Sequence, residues 1–256
     1  MRVCLLASGS KGNAIYIESC GNRLLIDAGL SATEVGARLA SIDVAGDDLD
    51  ALLVTHEHTD HCLGVGPMAR RHRLPVYMHP ETRQALPRLG KITTLVEFVA
   101  GGRFTVGEMT VEPFPITHDA AAPVGYLIDT PEGRIGIATD LGIATRLVAD
   151  RLQRCRVLVL ESNHDEDLLR DGPYPWHLKQ RIRSNRGHLS NRASAELLDG
   201  LLWDGLDAVF LAHLSETNND PVLAESCSRA VLDSQNRCRP LLILGTQAQA
   251  STCFVA

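Results

Sequence analysis

Four potential metal ligands fall within six residues, directly after an apolar run that is typical of a β-strand: His56, His58, Asp60 and His61. In an extended segment His56 and His58 point to the same side, whereas Asp60 and His61 would project from the first turn of a following helix. Imidazole and carboxylate ligands suit Zn, Mn or Fe, and mixed nitrogen and oxygen ligation with open positions is typical of a catalytic site. The spacing therefore predicts a catalytic centre that can serve two adjacent divalent ions.

Further candidate metal-site residues stand where other apolar runs end. In chain order they are Asp27, His118, Asp140 and His213. Together with the histidine cluster, this order resembles the metallo-β-lactamase superfamily, whose members share a four-layer αββα sandwich with a metal site at one edge. We therefore expect an α/β (α+β) fold of this kind, formed by residues 1–256 as a single domain.

The resemblance implies two ligand sets joined by one shared carboxylate: His56, His58 and His118 for one ion, Asp60, His61 and His213 for the other, and Asp140 between them. It also implies that Asp27 supports the metal loop by hydrogen bonding without ligating an ion, and Asn13 is a second candidate for a supporting position. Two ions about 3.5–4 Å apart generate a hydroxide near neutral pH and contact both the attacking and the leaving oxygen. The expected chemistry is therefore hydrolysis of a polar, preferably anionic, bond.

Two further segments indicate which bond is broken. Glu161 ends an apolar run, and His188 precedes a predicted helix. Both are similar to tRNase Z-like phosphodiesterases, in which a Glu at a strand end orients a His that donates a proton to the leaving oxygen. We name His188, Glu161 and Asp60 as the candidate catalytic residues. The chain lacks an evident long insertion for gripping tRNA, which argues against tRNA maturation.

Longer segments extend the match over nearly the whole chain: residues 7–14, 55–58, 117–121 and 161–188. They resemble the bacterial YycJ/WalJ-like family, which implies a metal-dependent nuclease with 5′-to-3′ exonuclease action on DNA rather than RNA. In the expected reaction a hydroxide bridging two Zn or Mn ions, or Fe, attacks phosphorus in line, and His188 protonates the departing 3′ oxygen.

Charge along the chain is uneven. The formal net charge is −6, which excludes a protein that coats nucleic acid by bulk electrostatics. From Arg170 to Arg192, however, six basic residues face one acidic residue. We expect this stretch to face the phosphates, with Arg186 and His164 as candidate substrate contacts. Trp176 could stack on a base or act as a packing staple at a helix start.

Composition sets the remaining bounds. With 45% apolar residues the 256-residue chain can form a sizeable core. No apolar run reaches the roughly 18 residues of a membrane span, and the start lacks the features of a secretion signal. The seven cysteines include no C-x-x-C pair, which argues against a thiolate zinc site and a disulfide framework. We therefore expect a cytoplasmic protein with no membrane partner.

Apolar periodicity predicts alternating elements in both halves of the chain. Strands are predicted near Arg2–Leu6, Ala14–Glu18, Arg23–Asp27, Ala51–Thr55, Val76–Met78, Thr105–Val106, Thr110–Phe114, Val124–Asp129, Arg134–Thr139, Val157–Leu160, Ala208–Ala212 and Leu241–Leu244. Helices are predicted near Ala32–Leu39, His61–His72, Pro80–Leu86, Thr145–Leu152, Trp176–Arg183, Asn191–Leu202 and Val222–Ser234.

Two other functions remain open at this stage. One is a small-molecule hydrolase of the same superfamily, either a phosphodiesterase for cyclic nucleotides or phosphonate esters, or a thioesterase. The other is a metal-binding scaffold without catalysis. Degenerate members of such families usually lose ligands, and this chain retains all seven candidates, which favours an enzyme.

Overall fold

The computed structural model describes residues 1–87 and 89–256, which form two mixed β-sheets flanked by helices. The strands are Arg2–Ala7 (β1), Ala14–Ser19 (β2), Asn22–Ile26 (β3), Ala51–Leu53 (β4), Val76–Met78 (β5), Leu95–Glu97 (β6), Phe104–Val106 (β7), Met109–Pro115 (β8), Val124–Thr130 (β9), Gly133–Ala138 (β10), Val157–Glu161 (β11), Ala208–Ala212 (β12), Leu241–Leu244 (β13) and Phe254–Val255 (β14). The helices are Ala32–Ala40 (α1), Thr59–Cys62 (α2), Val65–His72 (α3), Pro80–Ala85 (α4), Arg146–Arg151 (α5), Glu166–Asp171 (α6), Trp176–Ile182 (α7), Asn191–Asp199 (α8) and Pro221–Asp233 (α9).

Each sheet has seven strands. The first sheet has the order β14-β1-β2-β3-β4-β5-β6, and the second has the order β13-β12-β11-β10-β9-β8-β7. Strands β3 to β6 are parallel to one another, as are β10 to β13. The remaining neighbouring strands pair antiparallel, among them β1 and β14 from the two ends of the chain. Within each parallel set the carboxyl ends meet at one edge, where loops can bring side chains together.

Alternation of side chains along the strands explains the layering. In β3, Leu24 and Ile26 face the second sheet, whereas Leu25 faces the helices. In β11, Val157 and Val159 face the first sheet, and the residues between and after them face helices on the other side. Because both faces of both sheets are apolar, each sheet packs against its partner and against a helical layer. The predicted four-layer αββα sandwich is confirmed.

The sequence prediction missed three short elements, β6, β14 and α6. It also joined α2 and α3 into one helix, which is wrong. The two helices separate at Gly64, whose N–H donates to the carbonyl of Ala28, and a Cβ on Gly64 would lie 2.3 Å from the carbonyl oxygen of Leu30. This close backbone approach interrupts the helical pattern and fixes α2 beside the loop that follows β3.

In the part of the chain that the structure describes, none of the helices has the length and hydropathy needed to cross a membrane. That residues 1–256 form a single domain stays a prediction.

Candidate active site

The candidate residues collect at the edge of the sandwich where the parallel strands end. Asp27 follows β3, Asp140 lies just beyond β10 and His213 follows β12. All three have left-handed backbone conformations, with φ of 61°, 56° and 56°. Asp and His enter this region more readily than most residues, and the sharp turn directs the side chain back over the strand end. Local backbone geometry therefore directs these three side chains to the same edge of the sandwich.

The first cluster combines His56, His58 and His118, whose ligand atoms lie within 4.8 Å of one another. His118 comes from the loop after β8, and its Nε2 lies 3.3 Å from Nδ1 of His58. Its Nδ1 lies 3.1 Å from the carbonyl oxygen of Gly187, to which it donates. That bond leaves Nε2 of His118 without its own proton, so it can serve as a ligand atom.

The second cluster combines Asp60, His61 and His213 within the same 4.8 Å limit. Asp140 lies between the clusters, because its carboxylate also groups with His56 and His61 and is 3.5 Å from Nδ1 of His213. The structure thus brings together the residues of both predicted ligand sets and the predicted bridging carboxylate. Their role as ligands stays a prediction.

Asp27 lies behind the second cluster and holds it in place. Its Oδ2 is 2.7 Å from Nδ1 of His61 and also accepts the hydroxyl of Thr55 at 2.7 Å. Its Oδ1 accepts the Thr55 N–H at 2.8 Å. A carboxylate that accepts the Nδ1 proton of a histidine fixes the ring and leaves Nε2 for a metal. The sequence analysis missed Thr55, although its position directly before His56 was a usable signal.

Asn13 contacts the same cluster from the loop between β1 and β2. Its Nδ2 lies 3.2 Å from Oδ2 of Asp60 and 3.0 Å from Nε2 of His61. Its Oδ1 accepts the N–H of Gly9, which anchors the side chain. The amide therefore orients two members of the second cluster, in the supporting position where the sequence places it.

Several polar atoms at the centre lack hydrogen bonds. Among the described residues, His56 Nε2, His213 Nε2 and Asp140 Oδ2 are buried and have no hydrogen-bond partner. An orphaned buried acceptor is costly, since folding removes its water without a replacement. One cation in each cluster would give these atoms partners, with Asp140 within reach of both clusters. The donor set, mainly imidazole with two carboxylates, fits divalent Zn, Mn or Fe.

Burial and neighbouring charges set the protonation states that such ligands need. Burial alone would raise the pKa of the Asp140 carboxyl, but the imidazoles of His213 and His61 outweigh it and hold this pKa well below its usual range. Burial, reinforced by His61, lowers the pKa of His56 well below its usual range. An ionised carboxylate and a neutral imidazole are the forms that bind metal.

Glu161 links the metal clusters to the predicted proton donor. Its Oε1 lies 2.7 Å from Nδ1 of His188 and 2.9 Å from Nδ1 of His213. Its Oε2 accepts the N–H groups of Leu141 and Leu189. The carboxylate is fully buried, whereas the His188 side chain is 19% exposed. Glu161 therefore orients two histidines at once, and the sequence analysis foresaw only the contact with His188.

A cleft of about 250 Å³ opens onto these groups. Its lining includes members of the two clusters and His188. It also includes residues of α7 and of the segment before it, namely Tyr174, Leu178, Arg181 and Ile182. Tyr174 falls within the segment 161–188 that resembles the YycJ/WalJ-like family, but no role was predicted for it. The neighbouring Trp176 is 64% exposed and lies outside this lining.

Three of the six cations of the basic stretch have acidic partners: Arg170 pairs with Asp167 and Asp171, Arg181 with Asp119, and Arg192 with Glu166. The local excess of positive charge counted from the sequence is therefore partly neutralised. Arg186 is exposed, and its Nε donates to the carbonyl oxygen of His118 at 3.2 Å. This contact places its guanidinium beside the first metal cluster.

His164 has a different environment from the one that the sequence suggested. Its side chain is buried, and burial lowers its pKa to about 4. A neutral, enclosed ring offers no positive charge to a phosphate at neutral pH. As the structure places it, His164 packs beside Ser190, where the two residues form a β-bridge.

Comparison with known proteins identifies the family. A family model described as a β-lactamase superfamily domain matches residues 22–213. Exodeoxyribonuclease WalJ of Streptococcus pneumoniae is 40% identical over 225 residues, covering 86% of this chain and 84% of that protein. Exodeoxyribonuclease YycJ of Bacillus anthracis is 37% identical over 234 residues, covering 90% and 89%. The metallo-β-lactamase fold protein YhfI of Bacillus subtilis is 16% identical, with a TM-score of 0.77 over 99% of both chains, which shows the shared fold. The chain therefore belongs to the β-lactamase superfamily and, within it, to the family that includes WalJ and YycJ.

Proposed function

We propose that the protein is an exonuclease that uses two divalent metal ions to hydrolyse DNA from the 5′ end, with residues 1–256 acting as one domain. The observation that carries this proposal is the position of His188. It lies in the same cleft as two ligand clusters that share Asp140, and Glu161 fixes its ring. A proton donor beside a two-metal site is the arrangement that phosphodiester hydrolysis requires.

The ligand roles follow the two clusters. His56, His58 and His118 would hold one ion, Asp60, His61 and His213 would hold the second, and Asp140 would contact both. When bound, Zn or Mn, or alternatively Fe, supplies Lewis acidity that neutralises the phosphate oxygens and activates water near neutral pH. The buried carboxylates and the surrounding hydrogen bonds keep the ligands fixed, so little reorganisation is needed during the reaction.

His188 would donate its proton to the departing 3′ oxygen. Because Glu161 binds Nδ1, the nitrogen that remains for the substrate is Nε2. The buried carboxylate holds the ring in one orientation, as a general acid needs. The Leu141 and Leu189 N–H groups in turn donate to Glu161 and fix its carboxylate. This keeps the His188 ring next to the clusters.

The choice of DNA rests on the relatives. Two proteins that match most of this chain at 40% and 37% identity are named exodeoxyribonucleases. Acidic partners neutralise three of the six cations of the 170–192 stretch, so we expect phosphate binding to depend on the metal centre and on Arg186 more than on a broad cationic surface.

A side-by-side substrate panel tests the proposal. The purified protein, stripped with a chelator and reloaded with Mn or Zn, would be offered 5′-labelled and 3′-labelled DNA, single-stranded RNA, a cyclic nucleotide and a thioester. We expect release of labelled mononucleotides from the 5′ end of DNA and no such release before metal is restored. Preferential cleavage of the thioester or the cyclic nucleotide would instead favour a small-molecule hydrolase.

Two substitutions separate metal binding from proton transfer. His58→Ala should lower metal content and abolish cleavage, whereas His188→Ala should retain metal and lose about 10²- to 10⁴-fold in kcat. His72→Gln is a matched control, because His72 pairs with Asp47 away from the clusters and should leave both quantities unchanged. Full cleavage by the His188→Ala variant would overturn the assignment of the proton donor.

A further inference from the structure

Part of the cleft lining, here called the apolar wall, consists of Tyr174, Leu178 and Ile182, with Arg181 beside them. Tyr174 and Leu178 are partly exposed, and Ile182 is buried. None of these side chains ligates metal or moves a proton in the proposed reaction. An apolar, aromatic surface facing a phosphodiester centre matches the face of a nucleobase, which stacks on aromatic side chains whatever its sequence.

The position of this wall relative to the metal centre is fixed. Arg181, on the same helix as Leu178, pairs with Asp119, the residue after His118. The N–H of His188 donates to the carbonyl oxygen of Ile182. Helix α7 is therefore bound at one point to the residue that follows a candidate metal ligand and at another to the backbone of the proposed proton donor. A base on this wall would be held at a constant distance from the reacting phosphate.

The size of the cleft limits what can enter. At about 250 Å³ it lies below the range of about 300–1,000 Å³ that is usual for drug-sized ligands. The sugar and base of one nucleotide suit such a space, but a base pair with both of its sugars does not. The enclosed part of the cleft therefore favours a nucleotide that has left its partner strand, as in other enzymes that bring a nucleotide out of the double helix.

We propose that Tyr174, Leu178 and Ile182 form the subsite for the base of the terminal nucleotide, and that this base is unpaired when its phosphodiester is cleaved. The inference rests on the proposed nuclease function and specifies its substrate as an unpaired strand end. Stacking makes this subsite tolerant of sequence, because all four bases present an aromatic face.

Paired substrates test the subsite. Single-stranded oligonucleotides would carry either an ordinary 5′-terminal nucleotide or an abasic one with the same phosphates. Tyr174→Ala should lower kcat/KM on the ordinary end by about 5- to 150-fold and leave the rate on the abasic end unchanged. Tyr174→Phe retains the ring and should behave as the wild type.

Trp176→Ala is the matched control, since this aromatic residue lies two positions away but outside the cleft lining. It should cleave both ends at wild-type rates. An equal loss on ordinary and abasic ends for Tyr174→Ala, or no loss on either, would overturn the subsite. Because the abasic end reports on the same folded variant, a simple loss of protein stability cannot imitate the expected difference.

A second comparison tests the requirement for an unpaired end. The wild-type protein should cleave a duplex with two frayed terminal positions faster than a duplex closed by G·C pairs. Equal rates would contradict this part of the inference. If the metal-loaded wild type cleaves no nucleic acid at all, the proposed function and the subsite both fail. If the wild type cleaves DNA and substitution of Tyr174 does not change the rate, only the proposed subsite is contradicted.

Discussion

Glu161 Oε1 lies 2.7 Å from Nδ1 of His188, and the same oxygen is 2.9 Å from Nδ1 of His213. One buried carboxylate thus orients a residue proposed to transfer a proton and a residue proposed to bind metal. Its other oxygen accepts two backbone N–H groups, so all of its contacts are donors. The two functions of the site are therefore mechanically coupled through Glu161.

This coupling predicts a distinctive outcome for Glu161→Gln. An amide has only one acceptor oxygen, so some of the four donors would face its NH2 group, and each buried donor left unpaired costs about 1–3 kcal/mol. We expect a loss of kcat like that of His188→Ala together with weaker metal binding, which His188→Ala should not show. Metal content and single-turnover rates on the two variants measure the difference. Unchanged metal affinity in Glu161→Gln would mean that the contact with His213 is dispensable.

Asp27 offers a test that leaves every proposed ligand in place. Asp27→Asn removes one of the acceptors now used by His61 and Thr55. Loss of such a partner typically lowers metal affinity about 10- to 100-fold. Competition with a chelator would measure the change. Asp129→Asn is the matched control, because Asp129 pairs with Arg134 on the partly exposed end of a hairpin, and its metal affinity should equal that of the wild type.

The loop that supports the second metal cluster requires a glycine at position 29. A Cβ on Gly29 would lie 1.6 Å from the carbonyl oxygen of Asp60, so Gly29→Ala must displace the backbone of the metal loop. We expect a lower melting temperature and loss of metal binding. Gly36→Ala, in α1 with nothing within 4 Å of its Cβ, should instead stabilise the protein by about 0.5–1 kcal/mol. Thermal unfolding of the two variants, followed by metal titration, separates these effects. A Gly29→Ala variant with normal metal affinity would contradict this account of the loop.

The contrast between predicted and missed features has a physical basis. Strand ends carrying Asp27, Asp140 and His213 were visible in the sequence, because apolar runs end abruptly at a polar residue. The second contact of Glu161 was not visible, since it joins strands β11 and β12 whose neighbourhood depends on sheet order. The aromatic wall at Tyr174 was missed for a related reason. Its significance comes from the path of α7 past the cleft, and local sequence does not encode that path.

The pairing of the two chain ends gives a prediction outside the cleft. Strand β1 pairs antiparallel with β14, with Val3 opposite Phe254, and this register leads to facing positions for Cys4 and Cys253. The neighbouring Cys4 thiol, together with the guanidinium of Arg2, lowers the pKa of Cys253 to about 6. A thiol with this pKa is mostly thiolate at pH 7, whereas an ordinary cysteine with a pKa of about 8.5 is mostly protonated.

The rate of Cys253 alkylation, followed by peptide mass spectrometry, should therefore rise with pH to a plateau with a midpoint near pH 6. Arg2→Gln should move this midpoint to higher pH, because it removes the positive charge that favours the thiolate. A midpoint near that of free cysteine in the wild type would show that Cys4 and Arg2 do not act on Cys253 in this way.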